Sequence, residues 1–101
     1  NMVDQMRSYT INKGMMDSWI KLFETGIKPA HDAVGMPVVA TWVNADRNQF
    51  IWVRRFPDGS DVPAKESEFR ESAGFKELGT QPGEHIAKMD VQNLELGKLA
   101  A

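Results

Sequence analysis

Apolar residues along the chain recur in two rhythms. Gln5-Met6-Arg7-Ser8-Tyr9-Thr10-Ile11 reads as a strand that ends at Asn12-Lys13-Gly14, a turn composition. Met16, Trp19, Ile20, Phe23, Ile27, Ala30 and Val34 then step by threes and fours, one stripe of an amphipathic helix. Gly26 and Pro29 interrupt that stripe; Pro29 lacks an amide donor and crowds the preceding turn, so a kink or break is expected there. Gly35 stands where a C-terminal cap belongs. Two β-rich runs follow, Val38–Ala45 and Gln49–Phe56, joined by Asp46-Arg47-Asn48.

If those three residues are the whole loop, Asn44 faces Phe50, Trp42 faces Trp52, Ala40 faces Arg54 and Val38 faces Phe56. The other side of the hairpin then carries Val39, Thr41, Val43, Ile51 and Val53, an aliphatic face suited to packing under helices. Period-two alternation puts Arg54 on the aromatic face and Arg55 toward the helices or the sheet edge. Pro57-Asp58-Gly59-Ser60 is a turn, after which Ser60 or Asp61 can cap a polar helix that begins near Pro63 and runs to Leu78. Gly79-Thr80-Gln81-Pro82-Gly83 breaks the chain before a last strand over His85–Leu94, and the tail through Ala101 has no clear pattern.

The order strand–helix–strand–strand–helix–strand predicts an α+β, ferredoxin-like βαββαβ fold, read as a single domain over 1–101. Two helices cover only one sheet face in that fold. The aromatic side of the hairpin therefore needs other cover, and a homodimer closed through that face is the expectation.

Composition narrows the chemistry. The chain has 101 residues, with 42% hydrophobic and 26% charged, a globular balance. Its formal charge of −2 makes nucleic acid an improbable partner. With no cysteine there is no disulfide framework, thiolate metal site or cysteine nucleophile, and a cytoplasmic setting fits. No apolar run approaches the ~20 residues of a membrane span and no signal-peptide pattern opens the chain; Met2 reads as the natural start, with Asn1 an added residue.

Several stretches together resemble the NIPSNAP family. Gln5-Met6-Arg7-Ser8-Tyr9-Thr10-Ile11 with Lys13-Gly14 is similar to its opening E-L-R-x-Y-x-L-x-P-G, Phe50-Ile51-Trp52-Val53-Arg54-Arg55-Phe56-Pro57-Asp58 to its hairpin strand, and Phe69-Arg70-Glu71-Ser72 with Phe75-Lys76-Glu77 to its second-helix segment. Gln5 stands for the usual Glu, Lys13 for Pro and Phe75 for Trp. The resemblance implies a dimeric α/β barrel in which two sheets face each other, and it implies no settled reaction. The wider barrel superfamily includes cofactor-free monooxygenases, haem-degrading enzymes and small isomerases, by analogy only.

The candidate site residues follow from residue type and face. Arg7 and Tyr9 share one side of the first strand and offer a guanidinium and a phenol to a carboxylate or enolate, or else a structural network. Trp42, Trp52 and Phe50, with Asn44 and Arg54 among them, make either an apolar ligand wall or an ordinary interface. His31, on the shoulder of the helical stripe, is either a hydrogen-bonded histidine near a helix end or a general base; His85, beside a Pro-Gly turn, is expected to be exposed. Two distant histidines without cysteine give no metal site, and the absence of His and Trp between Pro63 and Leu78 argues against haem, so no cofactor is expected.

The function expected is binding or transformation of a small aromatic or anionic molecule in a barrel cavity, with Tyr9, His31 and Arg54 as catalytic candidates. The alternatives are a cofactor-free monooxygenase and a non-enzymatic dimeric interaction module. Carboxylates such as Asp4, Asp90 or Glu95 are the groups expected to neutralise the arginines if the network is purely structural.

Overall fold

A computed structural model describes residues 2–97; Asn1 and the end of the unpatterned tail, 98–101, lie outside the described residues. The elements are β1 (Val3–Ile11), α1 (Met16–Leu22), a π-helical turn (Phe23–Ile27), α2 (Lys28–Ala33), β2 (Val38–Val43), β3 (Gln49–Phe56), α3 (Val62–Glu71), α4 (Ala73–Leu78), α5 (Gln81–His85) and β4 (Ile86–Glu95). The strands form one antiparallel sheet in the order β2-β3-β1-β4, the ferredoxin-like arrangement. No helix among the described residues is long and apolar enough to cross a membrane.

The break expected at Pro29 takes the form of a π turn. The Lys28 amide donates to the carbonyl of Phe23, five residues back, and Pro29 sits in the first turn of α2, where its missing donor costs nothing. The wider turn consumes about one extra residue, which rotates everything after it by roughly 100°. His31 thereby moves from the shoulder of the stripe to its buried centre, only 1% exposed.

The hairpin register differs from the expected one by a residue. Val43 pairs with Phe50, Trp42 with Ile51 and Thr41 with Trp52, with an irregularity between Val38 and Ala40. Asn44 causes the slip. Its side-chain oxygen accepts from the amides of Asn48 at 3.0 Å and Gln49 at 2.8 Å, which draws Asn44 and Ala45 into the loop. Because side chains alternate, Trp42 shares the face of Ile51 and not that of Trp52.

The faces are correspondingly reversed. Phe50, Trp52, Arg54 and Phe56 do share one side of β3, but that side lies under the helices. Tyr9, Ile11, Phe50 and Trp52 pack against Met16, Trp19, Phe23, Ile27 and Leu78 in the main core, while Phe56 joins Ala30, Met36 and Phe69 in a second cluster. The uncovered face carries Met6, Ile51, Val53 and Trp42, the last half-exposed, together with Arg55, whose guanidinium holds Asp4 in two hydrogen bonds. Arg55 therefore lies on the open side and not toward the helices.

The single polar helix expected over Pro63–Leu78 is two helices, followed by a third short one in the predicted break. Asp61 caps α3 by accepting from the Ala64 amide. Ser72 ends α3 by donating to the Phe69 carbonyl and starts α4 by accepting from the Phe75 amide. Gly79 closes α4 at φ +58°, a left-handed conformation natural to glycine.

Candidate functional site

Between the covered sheet face and α2–α5 lies a half-open cavity of about 530 Å³. Its floor is built by β1 and β3, whose alternation sends Arg7, Tyr9, Trp52 and Arg54 to the same side. Its roof includes Phe69 and Phe75, Glu66 reaches in from α3, and Arg70 stands at the end of that helix.

A polar network occupies the floor. Gln5, from the strand carrying Arg7, accepts at its side-chain oxygen from Arg7 Nη1 at 2.8 Å and from Arg54 Nε at 2.9 Å. Arg54 also donates to Glu66 at 3.1 Å and to Nε2 of His31 at 3.0 Å. Arg7 donates to Tyr9 Oη at 2.7 Å and makes a longer contact with the sulfur of Met89. Aromatic rings enclose both guanidinium groups: Arg7 lies 5.8 Å and Arg54 5.9 Å from the centroid of the Trp52 ring.

The arrangement fixes the state of His31. A guanidinium can only donate, so Nε2 is the unprotonated acceptor and Nδ1 carries the hydrogen, which it donates to the Ile27 carbonyl at 2.7 Å. Burial lowers the His31 pKa from 6.5 to about 4, with repulsion from Arg54 and Arg7 adding to it against the hydrogen bond to Ile27. The imidazole is neutral at physiological pH, stacked on Phe69 at 4.1 Å, and its lone pair is engaged. Burial, followed by repulsion from Arg7, pulls the Arg54 pKa down to about 10, still well above neutrality.

Of the residues singled out in the sequence, Arg7, Tyr9, His31, Trp52 and Arg54 meet at this cavity, while Trp42 and Asn44 do not line it. Trp42 stands on the opposite sheet face, and Asn44 organises the hairpin turn. The acidic partner of Arg54 is Glu66, on the helix that the sequence marks only as polar; Asp4 serves Arg55, and Asp90 lies 3.8 Å from Lys88. Glu66 follows Asp61 by five residues on a short polar helix, and no local signal distinguishes it from Glu68 or Glu71. His85 is buried and not exposed: Nδ1 bonds the Gln81 carbonyl and Nε2 the Ser18 hydroxyl, both at 2.7 Å. Among the described residues no group of three or more acidic, histidine or cysteine side chains is placed to hold a metal ion.

The fold recurs in solved structures. A NIPSNAP family protein from Agrobacterium tumefaciens superposes with a TM-score of 0.86 at 15% identity, covering 99% of this chain and 97% of that one. A NIPSNAP domain protein from Burkholderia xenovorans gives 0.83 at 12% identity, with 95% of each chain covered. A protein assigned by name to the antibiotic biosynthesis monooxygenases of Bacteroides thetaiotaomicron gives 0.76 at 11% identity, covering 95% of this chain and 90% of that one. Identities this low establish a shared fold and no more. No curated protein matches the sequence. The family model described as NIPSNAP, however, matches residues 4–99, which takes in the strand of Arg7 and Tyr9, the hairpin of Trp52 and Arg54 and the helix of Glu66; the chain belongs to the NIPSNAP family.

Proposed function

We propose that this protein binds a small planar organic anion, an aromatic carboxylate, phenolate or enolate, in the cavity between sheet and helices. The observation that carries the reading is Arg7. It lies half-buried on the cavity floor, yet donates only to the neutral groups of Tyr9, Gln5 and Met89, and no carboxylate among the described residues lies within ion-pair distance of it. Arg54 and Glu66 already form a pair, so the floor holds an excess positive charge. Trp19 and Trp52 line the same cavity and give it apolar walls.

A cavity of about 530 Å³ falls in the usual small-molecule range of roughly 300–1,000 Å³. One charge-assisted hydrogen bond to Arg7 is worth about 1.5–3 kcal/mol, enough to favour an acid over its ester by roughly tenfold or more. Calorimetric titration of small aromatic acids against their methyl esters tests this. Acids should bind more tightly, and Arg7→Met should erase the difference. Equal binding of acid and ester, or none of either, would end the proposal.

The same two guanidinium groups favour one catalytic extension, cofactor-free oxygenation, because they would stabilise the enolate or phenolate that reacts with dioxygen. Oxygen uptake upon addition of a bound phenol is its test. The protein works, in this reading, as a cytoplasmic homodimer. Supporting the dimer is the uncovered face, with Met6, Trp42, Ile51 and Val53 partly exposed on one side of the sheet, an apolar surface that a second sheet of the same kind would cover. The absence of cysteine from the sequence fits a reducing compartment.

A further inference from the structure

On the cavity floor two guanidinium groups meet one carboxylate, and the side chain that joins the two cations is the neutral amide of Gln5. Resting on the anion reading, we infer that Gln5 is the positioning residue that sets the charge of the site: as an amide it holds Arg7 and Arg54 in place without neutralising them, and so selects monoanionic acids over their neutral amides. Gln5 does not line the cavity; it acts through the two arginines that do.

Gln5 is 2% exposed, at a position of β1 from which it reaches both guanidinium groups and the carboxylate of α3. Its orientation is fixed by chemistry. The oxygen must face Arg7 and Arg54, which only donate, while the nitrogen faces Glu66 Oε2 at 3.2 Å and Asn93 Oδ1 at 2.9 Å, which accept. Both ends of the amide are therefore satisfied inside the protein, and the oxygen bridges two like charges. A carboxylate of the same shape would keep the bridge between the arginines and would bring a negative charge, but its second oxygen would face Glu66 and Asn93 with no hydrogen to donate. The floor now carries two guanidinium charges against the single carboxylate of Glu66. A glutamate at position 5 would bring the sum on the floor to zero, leaving only the solvent-screened charges of the exposed Arg70 and Lys88 at the rim.

A purely structural spacer makes a different forecast from a charge-setting amide. The discriminating quantity is the ratio of benzamide to benzoate dissociation constants, measured by calorimetry at pH 8; the two probes share size and ring and differ in charge. The wild-type ratio should be about ten or more, the factor that one charge-assisted hydrogen bond provides. Gln5→Glu should bring it to about one by weakening benzoate alone, with benzamide changed by less than about twofold. Glu66→Gln, at a partly exposed position, should raise it several-fold. The double variant Gln5→Glu/Glu66→Gln again has one amide and one carboxylate, and should return to the wild-type ratio.

A wild-type ratio in Gln5→Glu would overturn the inference and leave the anion reading standing. A ratio near one in the unaltered protein would overturn the anion reading and this inference with it. Should Gln5→Glu lose its fold, the double variant decides: a ratio near one there overturns the role given to Gln5.

Discussion

His31 makes the stability of this protein sensitive to mild acid, and the size of the effect follows from its surroundings. The folded imidazole is neutral, with its pKa lowered from 6.5 to about 4 by burial and by the neighbouring arginines. The unfolded chain takes up a proton below about pH 6.5, whereas the folded chain resists it until about pH 4, so the unfolded state gains as pH falls through that window. The contribution is complete above about pH 7, is reduced by about 2 kcal/mol at pH 5, and is about 3 kcal/mol lower by pH 4. Protonation would also set a cation against Arg54 Nη1, now 3.0 Å away, and would remove the acceptor of that one nitrogen. Urea unfolding at pH 7, 6, 5 and 4, with the wild type compared to His31→Gln, isolates the term. Glutamine keeps an acceptor for Arg54 but does not titrate, so the wild-type curve should fall away from the variant's by about 2 kcal/mol between pH 7 and pH 5. Parallel curves would show that His31 takes up its proton over the same pH range in the folded and the unfolded chain, and the lowering of its pKa by burial would be refuted.

Two further outcomes test the packing. Val53→Asp places a charge on the uncovered sheet face; if the proposed dimer closes there, sedimentation should show a dimer for the wild type and monomers with an intact circular dichroism spectrum for the variant, because an unpaired charge in a closed interface costs several kcal/mol. Trp52→Asp, at a side chain 2% exposed under the helices, should instead unfold the chain; a folded, monomeric Trp52→Asp would mean that the faces are reversed. Gly74→Ala brings a Cβ to 3.0 Å from Ala30 Cβ and 3.2 Å from Ala30 Cα, where backbone must yield. An overpacking cost of about 1–3 kcal/mol should exceed the gain in helix propensity of at most ~1 kcal/mol, so the urea midpoint should drop, and a higher midpoint would refute the close α2–α4 contact.

The order of strands and helices was legible in the sequence because periodicity and stop signals agree at nearly every boundary, from Gly14 to the turn at Pro57-Asp58-Gly59. The faces were not. Sequence period places Phe50, Trp52, Arg54 and Phe56 together, but only the turn decides what stands opposite them, and that depends on Asn44 accepting two amide hydrogens instead of pairing as a strand residue. Nor does alternation say which side the helices choose. The same limit explains Glu66: its partner Arg54 is twelve residues away and joined to it only through the packing of α3 over β3. Arg7, Tyr9, Trp52 and Arg54 were recognisable because unusual side chains recur at strand spacing. His85 was misjudged because its burial rests on Ser18, at the other end of the chain.

The helices above the cavity carry one more consequence. Asp61, Ser72 and Gly79 start or stop α3 and α4 individually, so the cover over the arginines consists of short pieces that each complete their own hydrogen bonding. Substitution at the exposed Phe75 can then alter the height of the chamber without unwinding a continuous rod, and the guanidinium groups below, anchored to two central strands, stay where they are. Size and charge are thus separable in this architecture. If the cavity takes acids as proposed, relatives that keep the arginines and vary the aromatic cover should accept acids of different bulk, whereas a change in the strands should alter which charge is admitted at all.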